Sequence, residues 1–350
     1  MPKRQIAARR SLFFFLCCSF FQCPGVNAAP PARYRVTDLG TIPGGSYPAV
    51  AFNINNRGQI TGQAVSSNLQ YRPFFYHDVM HEIAAGTNGG FAGPLNDSGQ
   101  ALGTFDTDYD PLTKGRDHAF LYSGGTVTDL SVAYGAYIRG TGINSVGQFV
   151  GYAEAIDGSL APFIYSGGSI RLLNFGIEAT LADINDAGEM LGIGAYPGRD
   201  PSNPAIHATI FGQNTYRDLG VPRGSVESYG LALNNRGEAV GYSALPNQNA
   251  HGFIYAKGRM VDVGTLPGDV SSRLWNINED GVAVGTSEAA DETGRAVLWE
   301  HHQLRDLNDL IPADSGWLLV SANGINDHGQ IVGAGLLNGE YHPFLLTPIR

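Results

Sequence analysis

A nine-residue segment that recurs seven times constrains the fold of this 350-residue chain more than any other feature. Its last copy is INDHGQIVG at 325–333, and the shared pattern is an apolar residue, Asn, two variable residues and Gly. The key asparagines, separated by 41, 48, 41, 49, 44 and 48 residues, are Asn55, Asn96, Asn144, Asn185, Asn234, Asn278 and Asn326. A period of about 45 residues is typical of a four-stranded propeller blade.

Two further segments recur in step with the key asparagines. One is an aromatic run such as RPFFY (72–76) or HGFIY (251–255), and the other is an Asp-Leu-Gly segment such as RDLG (217–220). Each unit therefore predicts four strands, which we name A to D. Strand A ends at the key Asn, strand B ends at the second Gly of the repeat, strand C is the aromatic run and strand D is the Asp-Leu-Gly segment. An Asn that bonds the backbone two residues on, with a Gly of positive φ after it, closes the A–B hairpin.

The two ends of the chain supply complementary parts of one unit. The chain terminates in HPFLLTPIR (342–350), a strand C without a strand D, whereas YRVTDLG (34–40) is a strand D without a blade before it. We therefore expect an all-β fold, a seven-bladed β-propeller of four-stranded antiparallel blades whose ring is closed by the N-terminal strand completing the last blade. The predicted blades are 45–86, 87–131, 132–176, 177–220, 221–264, 265–308, and 309–350 together with 33–40. An open solenoid is the alternative, and it needs capping segments that the sequence lacks.

The first 28 residues have the pattern of a signal peptide. A ten-residue apolar run at 12–21 precedes VNA and Ala29, which is an acceptable cleavage site. The basic residues before the run are Lys3, Arg4, Arg9 and Arg10. The run is too short to span a bilayer, so we expect an exported protein, periplasmic or extracellular, with 29–350 as its mature domain and no membrane attachment after cleavage. The Arg-Arg pair leaves the general secretory route and the twin-arginine route both open.

Composition excludes several classes of function. All three cysteines (Cys17, Cys18 and Cys23) lie in the signal segment, so the mature domain has no disulfide and no thiolate site. Without the four cations of that segment, 18 basic residues stand against 32 acidic ones, a formal charge of −14. An acidic chain without a basic patch repels phosphate backbones, so we expect no nucleic-acid partner. We also expect a monomer.

The repeat carries a family resemblance. HAFLY (118–122), the INDxGQ form at 325–330, DLGTIPGG (38–45) and DVGTLPGD (262–269) resemble the HAF-type extracellular repeat proteins. The resemblance covers almost the whole mature domain. It implies an exported, propeller-like protein and supplies no reaction and no catalytic residue.

The loops of variable length gather on one face of such a propeller. The A–B turns form one face, and the B–C and D–A loops form the other, which we call the variable-loop face. Loops on a rigid scaffold are where binding usually resides. The predicted ligand-binding residues, at or near the start of strand A, are Tyr137, Arg139, Glu227, Tyr229, Arg273 and Trp275. An Arg can grip a carboxylate and aromatic rings can stack on sugars; the alternative is that these residues only plug and solvate the channel entrance.

The candidate catalytic residues belong to the same face. Strand C opens in the seven blades with Arg72, His118, Ala161, His207, His251, Arg295 and His342. Of these, His207 and His251 are candidate general bases, although repetition of the position favours a structural role. For a lyase, Arg139 or Arg273 would neutralise a uronate carboxylate while Tyr229 or a histidine takes the adjacent proton. HExxH, GxSxG and Walker motifs are absent from the sequence.

One acidic loop is a candidate calcium site. Asp106, Asp108, Asp110 and Asp117 imitate the spacing of oxygen ligands in a calcium loop, although Pro111 stands where that loop requires Gly. Ca²⁺ is therefore the candidate cofactor, with a solvated acidic loop as the alternative.

These patterns together predict an exported seven-bladed propeller that binds a ligand on its variable-loop face. The predicted partner is a carbohydrate, such as a polysaccharide, or another extracytoplasmic protein. Two alternatives stay open at this point. One is a polysaccharide lyase or glycoside hydrolase with its site at the central funnel, and the other is a structural scaffold of the envelope or matrix.

Overall fold

The computed structural model describes residues 32–349 apart from 87–88, 107–116, 135–136, 155–158, 201–202 and 214, and gives the backbone alone for 198–200 and 203. These residues form seven four-stranded sheets, and neighbouring strands within every sheet are antiparallel. The predicted fold class, a seven-bladed β-propeller, is confirmed.

Strand β1 (Tyr34–Asp38) precedes the first blade in the chain. Blade 1 contains β2 (Ser46–Ile54), β3 (Ile60–Val65), β4 (Tyr71–His77) and β5 (Val79–Glu82). Blade 2 contains β6 (Gly90–Leu95), β7 (Ala101–Phe105), β8 (His118–Ser123) and β9 (Thr126–Asp129). Blade 3 contains β10 (Ile138–Ile143), β11 (Phe149–Glu154), β12 (Leu160–Ser166) and β13 (Ser169–Leu172).

The next three blades repeat the same order. Blade 4 contains β14 (Glu178–Ile184), β15 (Met190–Asp200), β16 (Asn203–Phe211) and β17 (Tyr216–Asp218). Blade 5 contains β18 (Glu227–Leu233), β19 (Ala239–Ala244), β20 (Ala250–Ala256) and β21 (Arg259–Gly264). Blade 6 contains β22 (Ser271–Ile277), β23 (Ala283–Glu288), β24 (Gly294–Glu300) and β25 (Gln303–Asp306).

Blade 7 joins the two ends of the chain. It contains β26 (Trp317–Ile325), β27 (Ile331–Leu337) and β28 (Glu340–Pro348), and β1 pairs antiparallel with β28 as its fourth strand. The backbone N–H of Ile349 donates to the carbonyl of Arg33, and the Arg33 guanidinium forms an ion pair with Glu300 of blade 6. The predicted ring closure by the N-terminal strand is therefore what the structure has.

Among the residues that the structure describes, two short helices lie between blades. Helix α1 (Leu130–Tyr134) follows blade 2, and a 3₁₀ helix at Leu307–Leu310 follows blade 6. Within the described residues, no helix is long and apolar enough to cross a membrane.

The core lies between neighbouring blades and rests on the aromatic run of strand C. Its central residue in blades 1, 2, 3, 5 and 7 is a phenylalanine with no exposed surface: Phe74, Phe120, Phe163, Phe253 and Phe344. Burying one such ring stabilises the fold by roughly 1.5–3 kcal/mol. The recurring aromatic run therefore supplies the hydrophobic layers that hold adjacent sheets together.

The key asparagines connect all seven blades into a hydrogen-bonded ring. Each Nδ2 donates to the backbone carbonyl of the key Asn in the next blade, at 2.9 to 3.3 Å, and Asn326 of blade 7 donates back to Asn55 of blade 1. Each key Asn is at most 5% exposed. Because buried polar groups require partners, the Asn is needed between blades as well as in its own hairpin.

The residue four positions after the key Asn explains another part of the repeat. In blades 1 to 5 and 7 it is Gln or Glu, and its side-chain oxygen accepts a bond from the same Nδ2. Blade 6 has Val282 at this position. The recurring Gly-Gln or Gly-Glu pair therefore fixes the amide that bridges to the next blade.

A second ring is formed by the residue after each key Asn, and it is broken at one place. In six blades the side chain at this position accepts a bond from the backbone N–H of the equivalent residue in the preceding blade, at 2.8 or 2.9 Å. Blade 3 has Ser145 there, where the other blades have Asn, Asp or Glu. Within the described residues, the Asp97 N–H is the member of the ring without such a bond.

We expect Ser145→Asn to complete this ring and to stabilise the protein. An added amide oxygen in the position that Asn56 and Asn235 use would accept the Asp97 N–H, and one such bond contributes about 0.5–1.5 kcal/mol. Thermal unfolding should therefore shift upward by about 1–5 °C. Val146→Ala, an exposed substitution in the same turn, is the control and should leave the midpoint unchanged. An unchanged midpoint for Ser145→Asn would contradict the interpretation.

The second Gly of each repeat copy sits beside a bulge in strand A. Strand A has a register shift between the residues four and two before the key Asn in blades 1 and 3–7, and an equivalent irregularity in blade 2. A Cβ on Gly192, Gly241 or Gly285 would overlap a carbonyl oxygen of that strand. Strand B passes through this Gly and continues, so the prediction that strand B ends there was wrong. The Gly is required by close backbone approach.

Candidate functional site

One cavity occupies the A–B-turn end of the central channel. It has a volume of about 500 Å³ and is lined by the last residues of the seven strand A segments and by the turns that follow them. The carboxylates at its rim belong to the second hydrogen-bonded ring: Asp97, Asp186, Glu279 and Asp327 each accept a backbone N–H of a neighbouring blade. These groups therefore hold the ring together.

Trp275 belongs to this cavity. It lines the channel, and its indole Nε1 donates to Thr286 Oγ1 at 3.0 Å. The sequence analysis expected Trp275 beside Arg273 at the mouth of the variable-loop face. The bulge in strand A turns the residue three positions before the key Asn toward the channel, which accounts for the difference.

Asp183 is a titratable group in the wall of the same channel. Its carboxylate accepts the backbone N–H groups of Ile184 and of Leu233 in the next blade, both at 2.9 Å. Burial raises the pKa of Asp183 to about 7, and the two backbone bonds oppose that rise. Blades 1 and 6 have Asn53 and Asn276 at the equivalent position, and Asn53 makes the same bond to the next backbone N–H.

We expect Asp183→Asn to change the pH dependence of stability. A folded pKa above the ordinary value of 3.8 means that the folded protein binds the proton more tightly, so stability falls as pH rises from about 4 to about 7. The variant lacks this fall, so its stability relative to the wild type should rise by roughly 2 kcal/mol from pH 4 to pH 8, since part of the residue faces water in the channel. Its amide can accept only one of the two backbone N–H groups, and that loss is the same at every pH. Urea unfolding from pH 4 to pH 8 measures the free energy of unfolding of both proteins. If the two free energies change with pH in parallel, the raised pKa of Asp183 is refuted.

Another cavity, of about 560 Å³, lies on the variable-loop face between blades 1 and 2. Its lining residues, from the starts of strands A and C, the ends of strand B and the loops between them, are Gln63, Leu69, Gln70, Tyr71, Gly89, Gly90, Phe91, Thr104, Asp106 and Asp117. Leu69 and Tyr71 are 81% and 44% exposed. Aromatic rings beside amides and carboxyls are the side chains that bind polyhydroxylated ligands through stacking and hydrogen bonds. We call this the blade 1–2 cavity.

The sequence analysis missed most of this cavity. The predicted residues were selected by their position before the key Asn. The cavity instead combines residues of blades 1 and 2 that occupy different positions in the alignment of the repeats. The signal in the sequence was an aromatic residue directly before the aromatic run, which blade 7 shares as Tyr341.

Arg139 and its neighbours lie next to the blade 1–2 cavity. The Arg139 guanidinium carbon is 5.4 Å from the centroid of the Phe91 ring, which lines that cavity. Phe91 also meets Phe52 edge to face at 6.0 Å. Tyr137 and Tyr152 have ring centroids 6.2 Å apart, and Tyr152 pairs with Arg139 across the strands. The structure therefore places Arg139 beside a residue that lines this cavity, and Tyr137 beside Tyr152, the cross-strand neighbour of Arg139.

The other predicted ligand-binding residues form a separate group between blades 5 and 6. Tyr229 stacks on Tyr242 at 4.8 Å, and Arg273 lies 5.4 Å from the centroid of the Tyr242 ring. Arg273 pairs with Glu288 at 2.7 Å, and the Tyr229 hydroxyl donates to Glu227. Burial raises the pKa of Tyr229, and Glu227 raises it further. A protonated phenol and a neutralised guanidinium are poorly suited to proton abstraction from a uronate.

In six blades the residue that opens strand C contacts a carboxylate of strand D. His118 Nδ1 lies 2.7 Å from Asp129, and the corresponding distances are 2.9 Å for His207 and Asp218, 3.0 Å for His251 and Asp262, and 2.9 Å for His342 and Asp38. Arg72 pairs with Glu82 and Arg295 with Asp306 in the same way. Blade 3 lacks both members, since it has Ala161 in place of the His or Arg and Leu172, opposite Phe163, in place of the carboxylate of strand D.

This joint loss in blade 3 indicates that the two positions act as one structural unit. The carboxylate also caps the following turn, because Asp218 and Asp262 each accept the backbone N–H of the Gly two residues on. The structural partner of each of these histidines is the Asp of the segment that forms strand D. His207 and His251 therefore hold the outer strand, and their proposed role as general bases has no support from this repeated arrangement.

The calcium candidate falls partly outside the described residues, since Asp108 and Asp110 lie in 107–116. Asp106 and Asp117 both line the blade 1–2 cavity, where burial raises the pKa of Asp106 and the Asp117 carboxyl raises it further. Within the described ranges, no three acidic, His or Cys side chains are placed to hold a metal ion. The calcium site stays a prediction.

Comparison with known proteins shows the fold. No protein-family model matches the chain, and no curated protein matches it in sequence. The β-propeller domain of the Trilobed protease from Pyrococcus furiosus is similar in structure, with a TM-score of 0.56 and 10% identity over 86% of this chain and 97% of that chain. This chain is thus a member of the β-propeller class of proteins. The protease domain is described as having an open velcro topology, whereas β1 closes the ring here.

Two further solved structures resemble the chain more weakly. The puromycin-hydrolyzing peptidase of Mycobacterium tuberculosis has a TM-score of 0.48 and 13% identity, over 85% of this chain and 53% of that chain. The BP39L lectin of Burkholderia pseudomallei has a TM-score of 0.42 and 10% identity, over 89% and 98%.

Proposed function

We propose that this protein is an exported β-propeller that binds a carbohydrate on its variable-loop face. The observation that carries the proposal is the blade 1–2 cavity. Its volume of about 560 Å³ is that of a small-molecule site. It offers two aromatic rings, Tyr71 and Phe91, beside amide and carboxyl groups, which can bind the faces and the hydroxyl groups of a sugar.

A pair of equivalent tyrosines provides the test. Tyr71 and Tyr341 both stand directly before the first residue of the aromatic run, Arg72 or His342, and are 44% and 45% exposed, but Tyr341 belongs to blade 7 and not to the cavity. On a glycan array and by calorimetry with the glycans that bind, Tyr71→Ala should weaken binding about tenfold or more, because a stacking ring contributes roughly 1–2 kcal/mol. Tyr341→Ala should bind as the wild type does.

The outcomes separate the hypotheses for this face. Equal losses in the two tyrosine variants would place binding elsewhere. A folded protein that binds no glycan would reject carbohydrate binding and leave the partner protein or the structural scaffold. Product formation from an acidic polysaccharide would favour the lyase, which the pairing of Arg273 and the raised pKa of Tyr229 disfavour.

Export is part of the same proposal. It is supported by the basic segment, the ten-residue apolar run and the cleavage pattern before Ala29. N-terminal sequencing of the protein from the extracytoplasmic fraction should begin at Ala29, and a full-length protein in the cytoplasm would contradict it. The relation to the HAF-type repeat proteins remains our proposal as well, and it is supported by the structural roles of the repeat residues in the asparagine ring and in the histidine–aspartate pairs.

A further inference from the structure

Two arginines at equivalent positions of blades 3 and 6 differ in one respect. Arg139 and Arg273 both stand five residues before the key Asn, and each guanidinium carbon lies 5.4 Å from the centroid of an aromatic ring of the preceding blade. Arg273 forms an ion pair with Glu288. Within the described part of the chain, no carboxylate lies at ion-pair distance from Arg139, although Glu154 stands at the position equivalent to Glu288.

The Arg139 guanidinium is nevertheless held in place. The Phe91 ring lies beside it, and Tyr152 faces it from the neighbouring strand. Burial raises the pKa of Tyr152, and Arg139 opposes that rise, as expected for a cation beside the phenol oxygen. A half-buried, positioned guanidinium that has no anionic partner among the described residues is a strong receptor for a carboxylate or sulfate, since the pair forms charge-assisted hydrogen bonds.

The charges around Phe91 divide the surface into two parts. On one side, Asp106 and Asp117 line the blade 1–2 cavity, and the ten lining residues that the structure describes include no basic side chain. An anionic sugar in the cavity would meet two carboxyl groups, so an uncharged sugar fits there. The Arg139 guanidinium carbon lies 5.4 Å from the centroid of the Phe91 ring. This distance is comparable with the length of one sugar residue.

We infer that the ligand is an oligosaccharide with mixed charge, in which an uncharged sugar occupies the blade 1–2 cavity and the acidic group of an adjacent sugar binds Arg139. This inference rests on the proposed carbohydrate-binding function and names its substrate class. Arg139 is the specificity-determining residue. Arg273, neutralised by Glu288, does not contribute to the preference for acidic glycans.

Paired polysaccharides and two matched variants test the inference. The experiment compares three acidic oligosaccharides with their carboxyl-reduced forms. In hyaluronate, uronate and uncharged sugars alternate. In alginate and pectate, every sugar is a uronate. We expect the alternating form to bind best and about tenfold or more tighter than its reduced form. Arg139→Gln should abolish this difference without weakening the reduced form, Arg139→Lys should keep part of it, and Arg273→Gln should retain it.

The result distinguishes this inference from the function on which it rests. If reduced and acidic forms bind equally, or if Arg273→Gln has the same effect as Arg139→Gln, the inference is wrong while carbohydrate binding stands. If no acidic or reduced oligosaccharide of the panel binds, and the wider glycan array is also negative, both are wrong. Thermal unfolding of the three variants verifies that each remains folded.

Discussion

Deletion of residues 34–40 should lower the free energy of unfolding by several kcal/mol and the unfolding temperature by about 10 °C or more. The deletion removes β1, exposes the edge of β28 and takes Tyr34 and Leu39 out of two hydrophobic clusters. It also removes the Asp38 partner of His342. Because blade 7 would then have an unpaired strand edge, we also expect association between molecules, measurable by light scattering.

A circular permutant is the matched control for this deletion. A chain that begins at Thr41 and carries residues 33–40 after Ile349 through a two-residue Asn-Gly turn has the same β1–β28 register, with Tyr34 opposite Pro348. It should recover most of the lost stability. If the deletion leaves the unfolding temperature unchanged, or if the permutant is as unstable as the deletion variant, β1 does not close the ring.

Replacement of one key asparagine should have the largest effect of any single polar substitution. We expect Asn234→Ala to cost about 2–4 kcal/mol, because it removes two donated and two accepted hydrogen bonds at a residue that is 4% exposed. The lost partners include the Asn278 carbonyl of the next blade, which would keep only the bond from the Gly281 N–H within its own turn. Chemical denaturation of the wild type and the variant measures the difference.

A second substitution in the same turn serves as the control. Arg236 pairs with Asp280 at 3.6 Å, with both side chains more than half exposed, so Arg236→Ala should cost less than about 0.5 kcal/mol. Asn234→Asp keeps the two accepted bonds and loses the two donated ones, and it should be destabilised as well. Stability equal to the wild type in Asn234→Asp would show that the bond between blades is dispensable.

The sequence predicted the fold well because each blade is built by local rules that repeat. The hairpin turn needs the Asn and a Gly of positive φ, and strand C needs an aromatic residue at its centre. Seven copies of weak local signals become one strong signal. The incomplete unit at each end then predicted how the ring closes. The N-terminal segment supplies a strand D without a blade, and the C-terminal blade lacks its strand D.

The candidate site was less predictable because it depends on which blades are neighbours and on side chains outside the repeat. Selection by position before the key Asn found Arg139 and Tyr137 but also Tyr229, Arg273 and Trp275, which have other partners or face the channel. The cavity residues Gln63 and Tyr71 lie in blade 1, whereas Phe91 lies in blade 2. Their proximity follows from packing between blades.

The sequence alone determined the number of blades, the strands of each, and the closing role of the N-terminal strand, because hydrophobic periodicity and turn chemistry are local properties. The tertiary structure decided what the repeated polar residues do. It directs each key Asn to the next blade and the His or Arg that opens strand C to a carboxylate of strand D, and among the described residues it gives Arg139 no carboxylate such as Arg273 has. The first outcome depends on distances between blades and the others on side-chain contacts between strands of one blade, and the order of residues along the chain contains neither.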